Sequence, residues 1–224
     1  MLHGLAIQAG SDRSLHIGLT CPRCGQDGNF SSAHCTCGRL RWRELALGVL
    51  VGLAAAGMAW RIGLRPLLIP HLAMVAVTGI LIVTDLDHFR IPNRILYPGT
   101  ATCFALLALG VAVDPGQGSL LRAIAGAGIY FGLLFLVFAA ARGEGFGFGD
   151  VKLAALLGLF AAFDNYRVLA WALVITAVLG AIPAVILLAM GQGRKASIPY
   201  GPPLIIGTWA AIIWFPVISL GLFA

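Results

Sequence analysis

Long apolar stretches separated by short polar ones follow one another from residue 45 to the end of the chain. The seven apolar blocks are Leu45–Trp60, Leu67–Thr84, Ile95–Val113, Ala123–Ala141, Val151–Phe163, Val168–Met190 and Pro203–Ala224. A helix needs roughly 20 apolar residues to cross the hydrocarbon core of a bilayer, and most blocks reach that length with their flanking residues. The pattern predicts an all-α bundle of about seven transmembrane helices over residues 45–224. A small polar N-terminal region, residues 1–44, precedes it.

The composition supports a membrane location. Hydrophobic residues make up 59% of the 224-residue chain and charged residues 11%, whereas soluble domains carry about a quarter charged residues. The mean hydropathy is +0.93. Residues 1–20 include Asp12, Arg13 and His16 and have no apolar core, so we do not expect a cleavable signal peptide.

The basic residues of the loops orient the predicted bundle. With a cytoplasmic N-terminus, the inner loops hold Arg13, Arg23, Arg39, Arg41, Arg43, Arg90, Arg94, Arg142, Lys152, Arg194 and Lys195. The outer loops hold Arg61, Arg65, Arg122 and Arg167. This distribution follows the positive-inside rule, so the net charge of +6 reflects topology in membrane lipid and requires no nucleic-acid partner.

The fifth block, Val151–Phe163, has 13 residues, which is short for a membrane span. It is either a short span or a helix that re-enters the membrane or is buried by protein. Without a fifth span, Arg194 and Lys195 would lie outside, so the loop charges favour keeping it.

Four cysteines lie close together in the polar N-terminal region. Cys21 and Cys24 form a C-x2-C pair, and Cys35 and Cys37 form a C-x-C pair ten residues later. Four thiolates in two pairs suit a structural zinc ion in tetrahedral geometry. We therefore expect a zinc-knuckle-like site, with His34 as a possible substitute ligand. Two disulfides or free thiols are the alternatives, although disulfides are rare in the cytosol.

Carboxylates interrupt the apolar pattern at two predicted helix ends. Asp85 ends the second block in "DLDHFRIPN", and Asp150 opens the fifth block in "GFGDVKL". Both ends lie on the predicted cytoplasmic side, and carboxylates near hydrocarbon are kept mainly where they face the bundle interior. Two carboxyl groups within a few ångströms can share a proton and act as general base and general acid, as in aspartic proteases. Gly147 and Gly149 would let a neighbouring helix or a substrate backbone approach closely.

Each carboxylate also has a purely structural interpretation. Asp150 could cap the N-terminus of the fifth helix, where a carboxylate satisfies free N–H groups. Asp85 and Asp87 could be solvated loop charges that pair with Arg90 or Arg94. Composition and spacing alone leave an intramembrane aspartyl hydrolase as one option among several.

The two stretches resemble motifs of the prepilin peptidases, also called type IV leader peptidases, which are membrane aspartic proteases of the G-x-G-D type. The family pattern of an Asp, six residues, then Pro and Asn or Asp is similar to the stretch from Asp85 to Asn93. Its G-x-G-D-x-K-L pattern is similar to Gly147 to Leu153. "IPYGPPL", from Ile198, resembles the family's Pro-aromatic-Gly-Pro loop before the last helix. The paired cysteines resemble the cytoplasmic insert of the longer members.

The resemblance implies that Asp85 and Asp150 are the catalytic aspartates, and it leaves Asp87 outside the pair. The positions that would bind substrate or support the site are Gly147, Gly149, Lys152, Pro92 and Asn93. The implied substrates are type IV prepilins or the pseudopilins of secretion systems, cut after a short basic leader at the cytoplasmic face of the bacterial inner membrane. Longer members also methylate the new N-terminus with S-adenosylmethionine.

The chain departs from the longer members before its first apolar block. No apolar helix precedes the cysteines, and the cysteine loop is shorter. The resemblance therefore implies the peptidase reaction and leaves N-methylation open.

Other classes of protein are an ion- or proton-coupled transporter that uses Asp85 and Asp150, an inactive assembly protein of the same fold, and a related G-x-G-D protease with other substrates. Transporter folds often show internal repeats, and the chain has no convincing repeat. The Pro-Asn motif and the cysteines favour the prepilin class.

Overall fold

The computed structural model describes residues 19–20, 27–28, 42–88, 91–116, 118–141, 147–189 and 200–222. The chain divides into two units, Met1–Leu45 and Ala46–Ala224. In the first unit, strand β1 (Leu19–Thr20) pairs antiparallel with β2 (Asp27–Gly28). Strands of two residues are too short to produce an alternating pattern, which explains why the sequence did not predict them. The paired cysteines and His34 lie outside the described residues, so the zinc site stays a prediction.

Seven α-helices occupy the rest of the described chain. They are α1 (Trp42–Ile62), α2 (Leu68–His88), α3 (Asn93–Val113), α4 (Leu120–Ala140), α5 (Phe148–Asp164), α6 (Tyr166–Ala189) and α7 (Gly201–Leu222). Each corresponds to one of the seven apolar blocks, so the prediction of a seven-helix architecture is confirmed.

Within the described residues, four helical segments are long and apolar enough to cross a membrane. They are Glu44–Ile62, Leu68–Asp87, Asn93–Val113 and Leu120–Ala140. The described apolar parts of α6 and α7, Tyr166–Ile182 and Gly201–Phe215, are shorter. Many large apolar side chains, such as those of Leu53 and Leu136, are exposed on the helix surfaces, as expected for helices that face lipid.

Helix α5 is the buried centre of the helical unit. Twelve of its 17 residues are buried, and it contacts α3, α4, α6 and α7. Its length is about 25 Å at 1.5 Å per residue, less than the roughly 30 Å of a hydrocarbon core. Because protein surrounds α5, this helix does not depend on reaching both lipid boundaries, which accounts for its short apolar block.

Small residues bring α4 and α5 into backbone contact. A Cβ atom at Gly126 would lie 2.6 Å from the carbonyl oxygen of Gly158 and would collide with Ala162. A Cβ atom at Gly158 would lie 2.9 Å from the Cα of Ala127. Glycines at helix interfaces in membranes allow this close approach, and here they fix the position of α5.

The N-terminus of α7 is held against α6. A Cβ atom at Gly207 would lie 2.9 Å from the backbone nitrogen of Thr176. Gly180 is in close contact with the ring of Tyr200, the residue immediately before α7. Packing against α6 therefore determines where the first residue of α7 lies.

Candidate active site

Asp85 and Asp150 meet at one end of the helical unit. Asp85 lies in the last turn of α2 and Asp150 in the first turn of α5, and each is only 5% exposed. Asp85 Oδ2 and Asp150 Oδ1 lie 2.6 and 3.5 Å from the point where a Cβ atom of Gly201 would stand. The two oxygens are therefore within about 6 Å of each other, a distance at which carboxyl groups interact strongly.

The two carboxylate oxygens of Asp150 have different surroundings. Its Oδ2 atom accepts a hydrogen bond from the backbone N–H of Gly147 at 3.1 Å, and its own N–H donates to the Gly147 carbonyl at 3.0 Å. These contacts close the first turn of α5, but Gly147 is the N-cap and Asp150 is the third helical residue, so the capping interpretation was correct about the helix end and wrong about the N-cap position. The Oδ1 atom, by contrast, is buried and has no hydrogen-bond partner among the described residues. The Oδ2 atom thus holds the N-terminus of α5, and the Oδ1 atom lies within about 6 Å of Asp85 Oδ2.

Asp85 is held by the first residue of α7. The backbone N–H of Gly201 donates to Asp85 Oδ2 at 3.2 Å, at a helix N-terminus that carries partial positive charge. The interpretation of Asp85 as a solvated loop charge is wrong, because this side chain is buried within α2. Asp87, two residues later, is exposed.

The sequence motifs included the loop that contains Tyr200 and Gly201 but gave neither residue a role in the site. A Cβ atom at Gly201 would lie 3.2 Å from Asp85 Cγ as well as 2.6 Å from Oδ2, so glycine is needed for this close approach. Burial raises the pKa of the Tyr200 phenol, and the nearby charge of Asp150 raises it further. The phenol therefore stays protonated at neutral pH. The order Tyr-Gly-Pro-Pro at residues 200–203 is the sequence feature that could have placed these residues at the start of a helix, because proline is common in the first helical turn.

The two glycines of the G-x-G-D motif differ in their surroundings. A Cβ atom at Gly149 would lie 3.0 Å from Ile91 Cβ and 3.6 Å from Ile91 N, so this glycine lets α5 approach the α2–α3 connection. Gly147 is exposed, and its nearest such contact is at 3.8 Å. Among the described residues, no neighbouring helix packs closely against Gly147, so the approach of a substrate backbone to this glycine stays a prediction.

Lys152 ties α5 to the start of α3. Its Nζ atom donates to Asn93 Oδ1 at 3.2 Å and lies 5.3 and 5.0 Å from the ring centroids of Tyr97 and Phe148. Pro92 is the N-cap of α3, with φ −72° and ψ 121°. These contacts connect the first residue of α3 to the N-terminal part of α5, the helix that carries Asp150, and the roles of Lys152, Asn93 and Pro92 at the site stay predictions.

The residues described by the structure contain no group of three or more His, Cys, Asp or Glu side chains arranged to hold a metal ion. The carboxyl pair itself can perform acid–base chemistry, since two close carboxyl groups are each held at one oxygen by a backbone N–H group at a helix N-terminus.

Sequence comparisons extend this description. The model of the type IV leader peptidase family matches residues 72–190, which include both aspartates. A prepilin leader peptidase/N-methyltransferase of Stutzerimonas stutzeri is 33% identical over 183 residues, covering 76% of this chain and 57% of the relative. The protein of that name from Pseudomonas aeruginosa is 32% identical over 225 residues, covering 87% and 70%.

A third relative with the same name, from Bacillus subtilis, is 31% identical over 168 residues, covering 72% of this chain and 61% of the relative. The chain thus spans between about half and two thirds of the length of most of the curated relatives it matches. No solved structure matches it. The family match over residues 72–190, together with these relatives, shows that the chain belongs to the type IV leader peptidase family.

Proposed function

We propose that this protein is a membrane aspartic endopeptidase that removes the short basic leader from type IV prepilins or pseudopilins. The observation that carries the proposal is the pair of buried carboxyl groups, Asp85 and Asp150, within about 6 Å of each other at one end of the helical unit. Family membership and the names of the relatives support the leader as the substrate.

In the proposed reaction the pair holds one proton between its two carboxyl groups. The ionised carboxyl takes a proton from water, whose oxygen attacks the carbonyl carbon of the scissile peptide bond. The protonated carboxyl gives its proton to the carbonyl oxygen, which produces a tetrahedral intermediate. The C–N bond then breaks as the carboxyl that took the proton from water gives it to the departing amine, while the other carboxylate takes a proton from a hydroxyl group of the intermediate, so that the pair again holds one proton.

The hydrogen bonds of the two aspartates suit this exchange of roles. Asp85 is anchored at Oδ2 by Gly201, and Asp150 is anchored at Oδ2 by Gly147. Each side chain therefore keeps its second oxygen for water or substrate while its position is fixed. Gly147 is exposed beside the pair, so an extended substrate backbone can approach there without meeting a side chain.

We further propose that the protein lies in the bacterial inner membrane with seven spans and with its N-terminus and active site in the cytoplasm. The excess of basic residues in the predicted inner loops supports this orientation. A leader in the cytoplasm would then meet Asp85 and Asp150 at the end of its own membrane helix.

Zinc and S-adenosylmethionine belong to this proposal as additional ligands. Cys21, Cys24, Cys35 and Cys37 form a donor set of four thiolates that suits a structural zinc ion. Metal analysis of the purified protein would test this, with the four cysteines changed to serine as the comparison.

Methyl transfer from S-adenosylmethionine would add about 14 daltons to the cleaved product, an outcome suggested by the relatives' name.

The peptidase proposal is tested by incubating the purified protein, in lipid, with a prepilin and following leader removal by mass spectrometry. We expect cleavage by the wild type and a loss of at least about a thousandfold in Asp85→Asn and in Asp150→Asn. Asp87→Asn is the matched control, because this exposed aspartate lies in the same helical turn. Cleavage that survives in either variant, or a loss of equal size in Asp87→Asn, would refute the assignment.

A further inference from the structure

A cavity of about 490 Å³ lies at the end of the helical unit opposite the two aspartates. Its lining includes Arg61, Arg65, His71, Arg122 and Asp164. His71 is in the first turn of α2, whereas Asp85 is in the last. Asp164 is the last residue of α5, whereas Asp150 is in the first turn. The cavity is thus separated from the carboxyl pair by nearly the full length of two helices and takes no part in the proposed proteolysis.

Positive charge dominates the lining of this cavity. Three of its side chains are guanidinium groups, and Asp164 is the one carboxylate among the described residues that line it. Arg61 Nη2 lies 3.6 Å from Asp164 Oδ2, which is a weak ion pair at the protein surface. One carboxylate cannot neutralise three arginines, so the lining retains an excess of positive charge.

Several hydrogen-bond donors of these arginines stay available. Arg61 Nε is buried and has no hydrogen-bond partner among the described residues, which calls for an acceptor at this place. Arg122 Nε donates to the carbonyl oxygen of Phe163 at 3.4 Å, which fixes the direction of that guanidinium group. Its remaining N–H groups have no hydrogen-bond partner among the described residues. Arg65 is exposed at the cavity.

Helix ends of both polarities line the cavity. Leu67, Gly118 and Asn165 lie just before the N-termini of α2, α4 and α6, whereas Ile62 and Asp164 are the last residues of α1 and α5. Helix N-termini carry partial positive charge and C-termini partial negative charge, so these contributions oppose each other. The positive charge of the cavity therefore comes from the three arginines.

We propose that this cavity binds a phosphate group, held by the guanidinium groups of Arg61, Arg65 and Arg122. The planar fork of a guanidinium group matches two phosphate oxygens, and such charge-assisted hydrogen bonds are among the strongest in proteins. The phosphate is either the phosphodiester of a phospholipid headgroup or free inorganic phosphate. Ile62 and Phe215 supply apolar walls beside the arginines, and the cavity lies at helix ends, where headgroups are found.

Direct binding to the full-length purified protein, stripped of lipid in a phosphate-free detergent, tests this proposal. The probes are inorganic phosphate and the short-chain lipid dihexanoyl-phosphatidylglycerol, each titrated and followed by the thermal midpoint and by native mass spectrometry. Saturable binding of both probes identifies the phosphate group alone as the ligand, and saturable binding of the lipid alone identifies the headgroup. Saturable binding of neither probe overturns the proposal.

Variants locate the binding in this cavity. We expect Arg65→Gln and Arg122→Gln each to weaken the binding about tenfold or more. Arg167→Gln is the matched control, since Arg167 is exposed in the first turn of α6 at the same end and does not line the cavity. Equal weakening by Arg167→Gln, or unchanged affinity in Arg65→Gln, contradicts the proposed site.

Arg65→Gln and one further variant, Asp85→Asn, keep the result interpretable. Because Arg65 is exposed, Arg65→Gln serves as the test if Arg122→Gln, which loses its contact with Phe163, does not fold. Asp85→Asn should bind both probes as the wild type does, so the outcome is independent of the proposed protease activity.

Discussion

Gly201 donates its backbone N–H to Asp85 Oδ2, and a Cβ atom at this position would also approach Asp150 Oδ1 to 3.5 Å. The geometry of the carboxyl pair therefore depends on a residue without a side chain. Both aspartates could be predicted as site residues from the sequence, because a carboxylate at the end of an apolar block is unusual. The role of Gly201 could not be predicted in this way, because its hydrogen bond to Asp85 joins residues 116 positions apart.

Substitution of Gly201 tests this dependence. Gly201→Ala should displace the Asp85 carboxylate, slow leader removal by up to about 100-fold and cost about 1–3 kcal/mol of stability through overpacking. Gly132→Ala is the control, since a Cβ atom there would have no neighbour within 4 Å. The measurement is the cleavage rate together with the thermal midpoint. A wild-type rate in Gly201→Ala would mean that Gly201 does not position the pair.

The resemblance placed Lys152 among the positions that would bind substrate or support the site, and its hydrogen bond to Asn93 favours a supporting role. A double-mutant cycle with Lys152→Met and Asn93→Ala should give a coupling free energy of about 0.5–1.5 kcal/mol in stability. The KM for the prepilin should change little. A raised KM with unchanged stability would instead assign Lys152 to substrate binding.

At the scale of elements, the apolar blocks predicted the seven helices because each membrane helix needs a long apolar run. The pattern did not show which helix is enclosed by the others, since an apolar residue faces lipid as readily as it faces protein. For α5, the shortness of Val151–Phe163 allowed enclosure as one of several possibilities. The structure shows what the pattern could not, since the backbone contact between Gly126 and Gly158 places α5 directly against α4.

Enlarging one of these glycines should separate the two helices. Gly158→Ala places a Cβ atom against the backbone of Gly126 and Ala127, and backbone atoms cannot move aside as a flexible side chain can. We expect a loss of about 1–3 kcal/mol in stability, measured as a lower thermal midpoint in detergent. Gly128→Ala, on the same α4 helix but with open space at its Cβ position, should be neutral or stabilising. Equal midpoints for the two variants would contradict the packing account.

At the scale of the whole molecule, the helical unit carries a carboxyl pair at one end and an arginine-lined cavity at the other. The loop charges predicted an orientation for this arrangement, but they treated Arg61, Arg65 and Arg122 as separate outer-loop charges. The cavity could not be found in this way, because it forms only when the ends of several helices meet.

The predicted orientation is tested by the labelling of single cysteines in a variant whose five native cysteines are replaced. A cysteine in Asp87→Cys, near the carboxyl pair, should react with an impermeant maleimide only after the membrane is opened. A cysteine in Pro115→Cys, just beyond the far end of α3, should react in intact spheroplasts. Both positions are exposed. The reverse pattern would place the aspartates on the outer side of the membrane.

The most direct test of the central claim compares leader-removal rates of Asp85→Asn, Asp150→Asn and the double variant, with thermal midpoints to verify folding. Groups that act as one catalytic unit show strongly non-additive effects. The account predicts that each single variant loses as much activity as the double variant. A double variant that is far slower than either single one, or a single variant with wild-type activity, would show that the two aspartates do not form one catalytic pair.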